Sequence, residues 1–209
     1  MSAEANKKLV QQVYTESANR SGTTFADNLN AWCIGQLHGV GGFGYDISPL
    51  FRFADVWVPD GKTVLAVSLE MTFINWDSSF AGSVLVGRYL NKEWDYDFTE
   101  TSGGTGSAPV GWKTATTGSD WSTPGALGEG TDLIAGIAFH LPATGTTTAE
   151  GKQVYTTWLD PEIVQNWISN PGENYGFKLQ ADGLNKHTSV EGPARPVTTD
   201  TPKLTIYYH

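Results

Sequence analysis

Leu65, Val67, Leu69, Met71 and Phe73 alternate with Ala66, Ser68, Glu70 and Thr72. Successive side chains on a strand point to opposite faces, so this period of two commits the segment to a strand with one face in a core. A helix would scatter the same residues around its circumference. Residues 47–53, 84–90, 133–141 and 204–208 read as further strands, and in the last of these Leu204, Ile206 and Tyr208 share a face. Residues 23–37 supply two shorter pieces, with Trp32 and Ile34 pointing inward, and the Gly-rich segment 39–44 is a loop. Eight or nine such strands predict an all-β, antiparallel two-sheet jelly-roll sandwich, with the strand at 65–73 near the middle of a sheet.

Residues 153–180 break the pattern. An apolar-polar run, 154–159, leads into Asp160-Pro161. Asp accepts an orphan backbone N–H as an N-cap, and Pro fits the first helical position, where no N–H is needed. Ile163, Val164, Trp167 and Ile168 then form one apolar stripe on a two-turn helix, and Asn170-Pro171-Gly172 ends it. Residues 174–179 return as a strand. The stripe needs a partner, so the helix is read as a lid over one end of the sandwich. Burying its four apolar side chains contributes roughly 6–10 kcal/mol before ordering entropy. The inward Trp set is expected to be Trp32, Trp158 and Trp167.

The 209 residues suit one domain, divided here into an arm at 1–20 and a sandwich at 21–209. Leu9, Val10, Val13 and Tyr14 fall at helical spacing, which predicts an N-terminal helical arm over 3–14. The arm is expected to pack on its own domain or to dock on another subunit or assembly partner. A net charge of −9 leaves no basic stripe to displace counterions, which argues against a nucleic-acid partner. Cys33 is the single cysteine, so neither an intramolecular disulfide nor a Cys-based zinc site is available. The first residues lack the apolar core of a signal peptide, and no apolar run is long enough for a transmembrane helix. An extracellular or virion surface is the expected setting.

Residues 91–131 form a long polar, Gly/Ser/Thr-rich stretch that nonetheless carries Trp94, Tyr96, Phe98, Trp112 and Trp121. Such a stretch is packed down by its own side chains or is functional. The aromatics either anchor it to the sandwich or present ring faces on which sugars stack. The carboxylates Glu93, Asp95, Asp97 and Glu100 cluster in sequence and are candidates for a Ca²⁺ site, since that ion accepts oxygen ligands from irregular loops. The histidines show no zinc spacing, and Ser189 lacks a nucleophile context. Catalysis is not expected. Arg52 alternates against Phe51 and Phe53 and is read as an ion-pair partner of Glu191 or as a groove residue.

The segments PLFRF at 49–53, Trp94 with Glu100, GWKTA at 111–115, WSTPG at 121–125, residues 156–179, Ser189 with Glu191, and PKLTIYY at 202–208 occur in an order that resembles the DNRLRE-domain family. These are β-sandwich modules that include carbohydrate-binding members found beside polysaccharide lyases. The chain departs from that pattern in lacking a second Arg beside 49–53 and in having Thr201 before Pro202. The resemblance implies a jelly-roll fold and a non-catalytic role in binding a polysaccharide or surface glycan. The alternative is a structural or decoration protein of a larger assembly, docked through residues 1–20. For a sugar site, Trp76 lies between Asn75 and Asp77 at a strand end, and Trp94 lies beside Glu93, Asp95 and Tyr96. Trp76 or Trp94 is expected to stack on the sugar, with Asp77 or Asp95 as hydrogen-bond acceptors.

Overall fold

The computed structural model describes residues 2–3, 8–16, 24–25, 31–38, 44–54, 56–74, 85–94, 113–142, 145–149, 151–181, 187–191 and 202–209. Its strands are β1 (Ser2–Ala3), β2 (Lys8–Glu16), β3 (Thr24–Phe25), β4 (Ala31–His38), β5 (Gly44–Ala54), β6 (Val64–Ile74) and β7 (Leu85–Leu90) in the first half. Then come β8 (Thr114–Thr116), β9 (Ser119–Asp120), β10 (Leu133–His140), β11 (Thr146–Thr147) and β12 (Gln153–Leu159). The helix α1 (Pro161–Ser169) is followed by β13 (Phe177–Ala181), β14 (His187–Glu191) and β15 (Lys203–Tyr208). The pairings between these strands are antiparallel.

The strand β6 is central, as its alternation predicts. β12 runs along one edge from Gln153↔Phe73 to Leu159↔Val67, and β15 along the other from Lys203↔Glu70 to Tyr208↔Val64. Facing this layer, β5 carries β2 on one edge and β4 and β13 on the other, and the layer continues through β7 to β10. The β14–β4 ribbon connects the two, since β14 pairs with both β6 and β4. Side chains from both layers meet in one core: Val67, Leu69, Met71 and Phe73 on β6, Phe51 and Phe53 on β5, Phe177 and Leu179 on β13, and Leu204 and Ile206 on β15. The packing is sandwich-like. Phe177 stacks on Phe51 at 5.2 Å and meets Phe139 edge-on at 5.2 Å, the two arrangements the aromatic quadrupole favours.

Leu65 corrects the reading of the first strand. It is 55% exposed, although it belongs to the alternating set. The register explains this: Tyr207 pairs with Ala66 and Tyr208 with Val64, so Leu65 is an extra residue in a β-bulge. One inserted residue reverses the facing of everything before it, which puts Val64 inside and Leu65 outside.

The lid helix forms as expected. Asp160 Oδ1 accepts the Glu162 N–H at 2.8 Å, Pro161 opens the helix, and Val164 and Trp167 are buried. Gln165 Oε1 accepts the Val64 N–H at 2.9 Å and ties the helix to the start of β6.

The N-terminal helix expected over 3–14 is corrected. Lys8–Glu16 is a strand, paired with β5 from Lys8↔Ala54 to Glu16↔Ile47 with an irregularity between Leu9 and Gln11. An isolated helix this short is marginal, whereas the free edge of β5 satisfies the backbone groups of an added strand. β1 pairs with β15 and β2 with β5, so these two strands join different layers.

Candidate functional site: an exposed aromatic face

β12 points Tyr155, Thr157 and Leu159 into the core, so Thr156 and Trp158 face out. By the same alternation β15 buries Leu204 and Ile206 and turns Lys203, Thr205 and Tyr207 outward. Between them β6 presents Ala66, Ser68 and Glu70. The register builds three rows across this outer face. Tyr207 pairs with Ala66, Trp158 and Thr205 flank Ser68, and Thr156 and Lys203 flank Glu70.

Trp158 is 60% exposed and Tyr207 36%. Their strands are separated by β6, a span of about 9.6 Å for two strand spacings. Yet the ring centroids lie 6.0 Å apart, inclined at 43°. The rings therefore lean toward each other over Ala66 and Ser68, which are small enough to leave that space. Bulged Leu65 adds apolar surface at one end. At the other, Lys203 Nζ meets Glu70 Oε1 at 2.8 Å. Single exposed apolar side chains are ordinary, and it is the pairing of Trp158 with Tyr207 beside exposed Leu65 that sets this face apart as the candidate site.

Trp158 was assigned to the core from sequence, and that is corrected. The signal that places it outside is present in its own strand: Leu159 enters the core beside the lid helix, and its neighbour must face away. Trp167, assigned to the core, is buried there.

Trp94 is only 1% exposed, and its indole Nε1–H donates to the Tyr175 carbonyl at 2.7 Å. Its faces are not open to a sugar ring, so the expected stacking role becomes a packing role. With Leu50, Leu90, Trp121, Ala126 and Leu133 it forms a second apolar cluster. That cluster covers the outside of the β5–β13–β7 layer, opposite the Trp158 face, and explains why consecutive Phe177, Lys178 and Leu179 are all buried. Lys178 Nζ donates to the Gly125 carbonyl at 2.6 Å within it. Part of the long stretch at 91–131 is thus anchored by its own tryptophans. Trp76, Asp77 and Asp95 lie outside the described residues, as do Asp97, Glu100 and the Glu191 side chain. Trp57 is exposed on the segment between β5 and β6. Among the described residues, no group of three or more His, Cys, Asp or Glu is placed to hold a metal ion, and no helix is long and apolar enough to cross a membrane.

No protein-family model matches the chain, and no curated protein matches it either.

Proposed function

We propose that the chain is a non-catalytic glycan-binding module of jelly-roll type, with the Trp158–Tyr207 face as its binding platform. The observation that supports this reading is the exposed ring pair leaning over Ala66 and Ser68 at 6.0 Å. A pyranose ring laid on such a pair buries its apolar C–H face against carbon, while its hydroxyls stay at the border among Ser68, Thr156, Thr205, Glu70 and Lys203. That combination of apolar floor and few polar groups suits a sugar better than an aliphatic ligand, which has no use for the border. A platform on a regular sheet is also rigid, so little ordering entropy opposes binding.

The test is Trp158→Ala, read by intrinsic fluorescence and by retention on polysaccharide gels. The ring is exposed, so folding stability is expected to change by less than about 1 kcal/mol. Polysaccharide affinity is expected to fall at least about tenfold, equivalent to about 1.4 kcal/mol. Undiminished binding in the folded variant would exclude this face as the platform. Loss of a self-assembled species on Trp158→Ala, with no polysaccharide bound by the wild type, would mark the face instead as a protein contact of a structural or decoration protein.

A further inference from the structure

We infer that the platform selects neutral glycans, and that Glu70 and Lys203 act together as the reader of a pair of adjacent hydroxyls. This rests on the glycan-binding reading above and adds to it the chemical class of the sugar.

The argument begins with the row order. Ser68 lies in the row beneath the rings, and Glu70 is two residues further along β6, about 6.8 Å away on the same face. A sugar stacked over the aromatic row therefore directs its edge, or the next residue of the chain, toward Glu70 and Lys203. These two are joined at 2.8 Å and are both partly exposed. Each is held by its strand pairing, Lys203 opposite Glu70, so they stand side by side at the border.

A carboxylate only accepts hydrogen bonds and an ammonium only donates them. A sugar hydroxyl does both. Two hydroxyls on neighbouring carbons can therefore divide the pair, one donating to Glu70 while its neighbour accepts from Lys203. An exposed ion pair contributes little to folding, so opening it to admit two hydroxyls costs little, and the new bonds are charge-assisted. Thr156 and Thr205 flank the same two rows with hydroxyls that serve as donor or acceptor.

A polyuronate meets the opposite situation. Its carboxylate would face Glu70 wherever it faces Lys203, because the two are in contact. The charges of the pair cancel locally, and the chain as a whole carries −9. A polyanion is thus repelled at long range, and the cation that the three rows place on this face, Lys203, is already paired with Glu70.

The experiment measures retention of the full chain on mixed-linkage β-glucan, xylan, galactomannan, polygalacturonate and alginate at physiological ionic strength. Wild type, Trp158→Ala, Glu70→Gln and Lys203→Met are compared, with thermal melts to verify folding. The expected result is Trp158-dependent binding to at least one of the three neutral polymers and none to the two acidic ones. Glu70→Gln and Lys203→Met should each weaken neutral binding by about tenfold while the melt is retained. Trp158-dependent binding to the acidic polymers alone overturns the selectivity and leaves the platform standing. Neutral binding unchanged in both Glu70→Gln and Lys203→Met overturns the reader role. Binding to none of the five overturns the platform itself, and the selectivity with it.

Discussion

Replacing Trp167 by alanine is expected to lower folding stability by about 3–5 kcal/mol, the range for deleting a buried large aromatic. The ring is 2% exposed beneath α1, meets Tyr89 nearly edge-on at 6.1 Å, and shares its cluster with Val164 and Leu159. Tyr89 couples that packing to the helix cap. Its hydroxyl accepts the Asp160 N–H at 2.7 Å, and burial pushes it up to about 12, so it stays protonated at every ordinary pH. Removing the indole leaves a cavity between the helix and the core, and that cavity also loosens the ring that holds the N-cap residue, Asp160. Urea melts with an unchanged m-value should show the loss as a lower midpoint. A change below about 1 kcal/mol would mean that the helix is peripheral and does not close the core.

Asp132→Ala is expected to cost about 2–4 kcal/mol, because it strands several donors at once. The carboxylate is fully buried and accepts four hydrogen bonds. These come from the backbone N–H groups of Ser122 at 2.8 Å, Thr123 at 3.0 Å and Gly128 at 3.0 Å, and from the Ser122 hydroxyl at 2.9 Å. Gly128 is needed for this fit, since a Cβ there would lie 1.9 Å from Ser122 Oγ and 2.8 Å from Asp132 Oδ2. The hub holds the segment that carries Trp121 and Ala126 onto the outer cluster, where Arg88 also grips Glu129. Burial alone would raise the Asp132 pKa, but the four hydrogen bonds outweigh it and the net displacement is downward. A carboxylate whose pKa is lower folded than unfolded contributes stability that is present above the unfolded value, about 3.9, and is lost as pH falls through the folded value. Wild type should therefore lose this contribution only below about pH 4, and Asp132→Ala should lack that part of the acid dependence. Urea midpoints at pH 7 and pH 3 for both proteins measure it. A variant as stable as wild type at pH 7 would show that the hub does not hold the segment. Trp158 lies on the opposite outer face, so its ligand affinity should not follow this change.

The lid helix was legible because its determinants are local: an N-cap, a proline, a stripe and a stop within a dozen residues. The β6 core face was legible for the same reason, as one strand's alternation suffices to state which side chains share a face. Leu65 escaped because a bulge is defined by two strands, and its one-residue offset is visible only once Tyr207 and Tyr208 are set against Ala66 and Val64. The strand at Lys8–Glu16 escaped because Leu9, Val10, Val13 and Tyr14 fall at helical spacing and not in strand alternation, and the edge of β5 that it pairs with lies more than thirty residues further along the chain.

The candidate site shows the same division. Composition and patterning by themselves determined that this is a predominantly β chain with a capped helix at 161–169 and a net charge of −9. The alternation of β12 turns Trp158 outward, but which tryptophans stay uncovered was decided by tertiary structure. Trp94 looked exposed among acidic neighbours, and Trp158 looked internal among strand residues. Their real positions depend on the other side of each sheet: the 113–133 segment folds over Trp94, while Trp158 points away from the core that Leu159 enters. Alternation assigns a residue to a face, but whether that face is covered depends on segments distant in sequence. Burial is a sum over those contacts, and a local pattern does not contain it.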